Sequence, residues 1–307
     1  MANTSAARSL ETLLDDGWND HDEESERLAR ELEAAAENAI PSHQLVPFLH
    51  LSTHAIGEHL GDWARVLRLG KRILGGQTPT SETARAWGRL YVAAVLAGDA
   101  IAAADFELSY LKAAGEEFGA ALLDMRFMLA GALVGAKRAG EAGRLYRSAL
   151  DLVGRIRPST LLDRTIAVAS NNLGWELYEM SSRTTDEDDL MRLCAEMSLT
   201  FWLKCGNWIN AERGHYLNAL VRNATGDPTS GLAHADEALA IIAANGERPL
   251  DTALLQLARA VSLAALGNAA GVVQAIGDAD GAAAMLVATN LRAQFAAERG
   301  KVVAALS

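Results

Sequence analysis

The sequence predicts an all-α protein built from stacked antiparallel helix pairs, and three observations carry that expectation. Ala and Leu dominate a chain that is 50% hydrophobic but only 6% aromatic, and just six prolines interrupt it. Those two residues are the best helix formers, so long helices cost little. Alternating runs of Val, Ile and Thr, which would read as strands, are nearly absent. Finally, one syntax recurs: an apolar periodic stretch, a Gly followed by Asp or Asn, and a second apolar stretch. With 307 residues the chain exceeds the ~250–300 at which one compact core stops growing, so two domains or an elongated repeat stack are expected.

Residues 1–42 are expected to form an N-terminal helical cap or an atypical first repeat, because "DHDEESERLARELEAAAEN" reads as a helix with an acidic, solvated face. The opening "MANTSAARSLETLLDDGW" has no apolar signal core, and no uninterrupted apolar run approaches the ~18 residues of a membrane span. A cytoplasmic protein without a membrane partner is the resulting expectation.

Residues 43–277 are expected to form the helix-pair array. "THAIGEHLGDWARVLRLGKRIL" breaks at Gly61-Asp62. Ser81 is placed to cap "ETARAWGRLYVAAVLAG", with Glu82 at the positive helix start, and Gly98-Asp99 separates that helix from "AIAAADFELSYLKAAG". In "SSRTTDEDD", Thr184 or Thr185 caps the next helix, with the acids in its first turn. Further breaks fall at Gly226-Asp227, where Pro228 suits a first turn, and at Gly267-Asn268. Such short turns join antiparallel neighbours. Residues 278–307, with "DADGAAAMLVATNLRAQFAAERG", read as a C-terminal capping helix.

The breaks recur at intervals compatible with units of about 34 residues. Aligning the turn glycines puts Trp87 and Leu90, Leu129 and Leu133, Leu173 and Leu177, and Leu263 at large apolar positions. It puts Ala103, Ala130, Ala142, Ala149, Gly174, Ala219, Gly231, Ala238 and Ala260 at small positions, where helices approach closely. In this pattern the chain resembles the tetratricopeptide repeat family. Tyr91 and Asn218 depart from the pattern, at a small and a large position. The resemblance implies a right-handed superhelical solenoid with a concave ligand groove. It also implies which residues line that groove: Glu58 and His59; Asn171, Trp175, Tyr178 and Glu179; Arg213, Tyr216 and Asn223. The family's clamp for a peptide carboxylate is missing. Only Asn172 matches it, while Phe127, Gly131 and Leu217 occupy other clamp positions.

A net charge of −11 disfavours a polyanion partner such as nucleic acid. Arg65, Arg68 and Arg72 share a helix face, which reads as solvated. Cys194 and Cys205 have no zinc-site spacing, which suits a reducing compartment. No nucleophile elbow, dinucleotide fingerprint, phosphate loop or HExxH is present, so no enzyme and no cofactor are expected.

The histidines of "HLSTHAIGEH" raise the one metal question. "HAIGEH" is one residue longer than the inverted zinc-peptidase motif HxxEH. On an α-helix His54 and His59 would lie ~140° apart and face different ways, and Glu58 would lie ~12 Å along the axis from His50. The repeat register instead places His50 and His54 at packing positions, as core histidines hydrogen-bonded to neighbours.

Three readings follow. The first is a non-catalytic scaffold that binds a protein or peptide in its groove. The second is a regulator responding to a small molecule or signalling peptide, marked by a deep, closed pocket. The third, least favoured, is a metal-dependent enzyme at His50 and His54.

Overall fold

The computed structural model describes residues 8–21 and 24–306. The chain is all-α: 82% is helical, and no strand occurs among the described residues. It divides into two compact units, Met1–Arg157 and Pro158–Ser307, a boundary that falls inside the expected array.

The first unit contains α1 (Leu10–Asp20), α2 (Ser25–Ala35), α3 (Ser42–Ser52), a π-helical turn (Thr53–His59) and α4 (Trp63–Leu74). It continues with α5 (Ala84–Leu96), α6 (Ala100–Ala114), α7 (Phe118–Gly135) and α8 (Ala139–Leu152). Helices α5 and α6 form one neighbouring pair and α7 and α8 another, while α5 also touches α3 and α7. Leu45, Phe48, Leu90, Leu123 and Tyr146 are fully or almost fully buried in its interior. An apolar window within Ala100–Gly135 is long enough to cross a membrane by composition, but 61% of it is buried and Gly115, at φ 57°, breaks the helix.

The second unit contains α9 (Thr160–Glu179), α10 (Thr185–Cys205), α11 (Trp208–Ala224), α12 (Pro228–Asn245), α13 (Pro249–Ala265), α14 (Ala269–Ala284) and α15 (Thr289–Leu306). Each odd-numbered helix from α9 to α13 packs on the helix after it, and α9 touches α11, α11 touches α13, and α13 touches α15. The segment expected as one capping helix thus holds the end of α14 and all of α15.

The turns explain the regularity. In three of them Gly98, Gly226 and Gly267 adopt φ of 77°, 80° and 75°. The following N–H reaches back five residues: Asp99 to the Ala94 carbonyl, Asp227 to Arg222, and Asn268 to Leu263. This is the Schellman closure, which needs a left-handed residue and uses orphan carbonyls of the ending helix. The same Asp99, Asp227 and Asn268 then cap the next helix, accepting from the N–H of Ala102, Ser230 and Gly271. One Gly-Asp or Gly-Asn pair therefore ends one helix and starts its partner. The turn from α7 to α8 has the same bonds, Arg138 N–H to Leu133, but Lys137 holds the left-handed position at φ 60°.

At Thr184 the predicted cap forms a full capping box: its hydroxyl accepts from the Glu187 N–H, and the Glu187 carboxylate accepts from the Thr184 N–H. Ser81 does not cap α5. The helix begins at Ala84, and the Thr83 hydroxyl is spent on Thr80. The arginine stripe is only partly solvated: Arg65 forks onto Glu33 at 2.7 Å and reaches Glu26 at 3.0 Å, tying α4 to α2.

Candidate functional site

The nine groove residues expected from the sequence divide between the units. Glu58 and His59 belong to the first, and the other seven to the second.

In the second unit, α9 and α11 bring three of the seven together. Trp175 packs edge-on against Tyr178, with centroids 5.8 Å apart, and tilts against Tyr216 at the same separation. Tyr216 also packs against three separate apolar clusters of the unit, so its ring is anchored. Tyr178, Tyr216 and Asn223 line a cavity of about 190 Å³, closed further by Leu254 and Leu257 of α13 and by Glu298 and Val302 of α15. Burial pushes the phenol pKa of both tyrosines up, with the charge of Glu298 adding to it. Both remain neutral hydroxyls, able to donate or accept.

The other predicted residues have distinct surroundings. The Asn223 amide donates to the Ala258 carbonyl at 2.9 Å and its oxygen accepts from Ser262 at 2.7 Å, so it pins α11 to α13 as well as lining the cavity. Asn171 donates to the neighbouring Asn172, while Glu179 and Arg213 are exposed. Arg213 lies 3.6 Å from both Glu212 and Asp251.

Sequence reasoning missed Glu212, Asp251 and Glu298. Glu212 is fully buried, and neither carboxylate oxygen has a hydrogen-bond partner. Burial, and then the charge of Asp251, push its pKa up to about 7, against the pull of Arg213 and Arg248. Nothing in the spacing of "NAERG" marks that acid as internal. Glu298 was assigned to a cap, and only the docking of α15 on α13 brings it to the cavity.

In the first unit the histidine expectations are corrected. His50 is exposed rather than a core residue, and its ring sits edge-on against Trp18 at 4.9 Å. His54 is half-buried, and its partners are surface groups: Nδ1 bonds the Glu58 carboxylate, and Nε2 lies 3.2 Å from Nε2 of His59. Those two histidines are five positions apart, yet they share a face. The cause is the π-turn, whose hydrogen bonds run from i to i+5 and bring residue i+5 back over residue i. The turn that follows carries the same extra residue. The Asp62 N–H reaches back six positions to Ile56, where the other turns reach back five. Gly57 permits this path, because a Cβ there would stand 2.5 Å from the Trp63 ring.

No protein-family profile matches the chain, and no curated protein is significantly similar to it.

Proposed function

We propose that the chain is a non-catalytic binding protein of tetratricopeptide-like helix pairs stacked as a right-handed solenoid, and that its second unit takes a peptide segment of a protein partner. The observation that carries this reading is the cavity that Tyr178 and Tyr216 line from two helices, with Trp175 packed against both rings. Anchored aromatics supply large contact area at small entropic cost, which is how peptide and protein interfaces concentrate their affinity. Glu298 and the two phenols give the wall polar groups that suit a basic or amide-bearing side chain. The repeated Gly-Asp turn and the succession of contacts from α9 to α11 to α13 support the repeat architecture.

Affinity capture from the native cell, with partners identified by mass spectrometry, tests the site. Tyr216→Ala would remove packing from three clusters, so the informative variant is Trp175→Ala with Tyr216→Phe. Partners held by the wild type and lost by this folded variant support the assignment. An unchanged set of partners overturns it.

The second reading, a ligand-responsive regulator, is favoured by one observation: α15 forms part of the cavity wall. A small ligand bound there would touch α15 and bias its docking on α13.

A further inference from the structure

Three of the seven histidines, His21, His50 and His54, pack around Trp18 at the surface of the first unit, and His59 joins them through His21 and His54. Three face one another. His21, the C-cap of α1, has its ring centroid 4.7 Å from that of His54 and 5.1 Å from that of His59. One ring nitrogen from each lies within 4.8 Å of the other two. We propose that His21, His54 and His59 together bind one divalent transition-metal ion of the zinc class.

The geometry suits such an ion. Tetrahedral coordination with metal–nitrogen bonds of about 2.0–2.1 Å places ligand nitrogens about 3.3 Å apart. The His54 and His59 Nε2 atoms stand 3.2 Å apart. The outer partners match as well. A metal-binding imidazole ordinarily donates its other N–H to a carboxylate or carbonyl, which fixes the tautomer and aims the ring. His54 has Glu58 in that role, and His21 donates from Nδ1 to the Trp18 carbonyl at 2.6 Å. A carboxylate and a carbonyl only accept, so both rings carry their proton on Nδ1 and their lone pair on Nε2. The ion takes the place of the His54–His59 contact, and His59 releases its Nε2 proton to solvent as Nδ1 takes one up, so it binds as a neutral imidazole.

The donor set selects the metal. Three imidazoles suit Zn²⁺, Co²⁺, Ni²⁺ or Cu²⁺ rather than Mg²⁺ or Ca²⁺, which want oxygen. His59 is exposed, which gives an entry path and a fourth position open to water. The π-turn is an independent pointer. Such turns are rare and concentrate at functional sites, and here the extra residue is what brings His59 back over His54. The site lies wholly in the first unit and stands apart from the peptide reading of the second.

Full-length protein without an affinity tag, stripped by chelator and dialysed, is titrated with ZnCl₂ by calorimetry. One ion per chain is expected. His21→Ala and His59→Ala should each weaken binding by about tenfold or more, and Glu58→Gln by about tenfold through its hold on His54. His50→Ala and His215→Ala should leave affinity unchanged, the latter because His215 pairs with His234 at a separate place. Co²⁺ gives a second readout that leaves the ligands intact: it should quench Trp18, whose ring lies 5.2 Å from His54, and the quenching should shrink in Trp18→Phe, leaving the share of Trp63 beside Gly57. Absence of saturable Zn²⁺ binding overturns the proposal. So does an affinity unchanged in both His21→Ala and His59→Ala, or Co²⁺ quenching that is as large in Trp18→Phe as in the wild type.

Discussion

Replacing Lys137 with glycine should stabilise the first unit, and the four equivalent turns allow the size to be worked out. Lys137 is the one non-glycine residue at positive φ among the described residues, and it occupies the place held by Gly98, Gly226 and Gly267. An L-residue in the left-handed region costs about 1–2 kcal/mol, because Cβ crowds the following carbonyl. Glycine removes that cost but loses more entropy on folding, which takes back about 0.4–1 kcal/mol. The Lys137 side chain is exposed and, among the described residues, makes no hydrogen bond or ion pair that the change would remove. The net gain is about 0.5–1 kcal/mol, or a rise of about 1–4 °C in melting temperature for a unit of this size. Urea unfolding and calorimetry of wild type, Lys137→Gly and Gly98→Ala form the test. Two compact units can unfold separately, so the shift belongs to one transition only. Gly98→Ala should move that same transition down. A Lys137→Gly protein no more stable than wild type would refute the claim that backbone strain at residue 137 is relieved by glycine.

Further outcomes follow from the caps, the π-turn and the buried acid. Thr184→Ala removes the hydroxyl half of the capping box of α10 and should cost about 1 kcal/mol, read by urea unfolding of the second unit. Gly57→Ala drives a Cβ into the Trp63 ring and should cost about 1–3 kcal/mol, with a change in Trp fluorescence reporting the displaced indole. Glu212 has a folded-state pKa near 7, above its unfolded value of about 4.3, so the folded state holds a proton the unfolded state has released between those limits. Stability is therefore full below about pH 4.3 and falls as pH rises towards 7, by on the order of 3–4 kcal/mol. Glu212→Gln should flatten that fall and be more stable than wild type at pH 8. Parallel pH profiles of the two proteins would sink the assignment.

Much of the fold was legible because its determinants are local. Gly98-Asp99, Gly226-Asp227 and Gly267-Asn268 each encode a left-handed stop and an N-cap in two adjacent residues, so no tertiary knowledge was needed. Thr184 and Glu187 encode a box in the same way. Trp175, Tyr178 and Tyr216 were named from the groove positions that the tetratricopeptide resemblance implies, and α9 and α11 place their rings in contact. What escaped depends on long-range placement. Glu298 reaches the cavity only because α15 docks on α13, and the buried Glu212 feels the charges of Asp251 and Arg248, more than thirty residues away. Ser81 does not cap because α5 begins at Ala84, and the Thr83 hydroxyl at that helix start pairs with Thr80 instead of the helix.

The histidines were misplaced for a different reason: the wrong helix was assumed. At about 100° per residue, His54 and His59 diverge, and "HAIGEH" looks like a motif spoiled by one residue too many. That residue is instead absorbed as a π-turn, and the turn restores the shared face that the insertion would have destroyed. The back-bond from Asp62 to Ile56, one residue longer than in the other turns, records the same insertion at the helix end. Downstream, α4 starts on its Asp62 cap in the ordinary way, so the extra residue is contained between Thr53 and Asp62. An insertion confined this closely leaves the helix pairing intact while changing which side chains meet. It brings His54 and His59 into one surface cluster that His21, from another helix, completes.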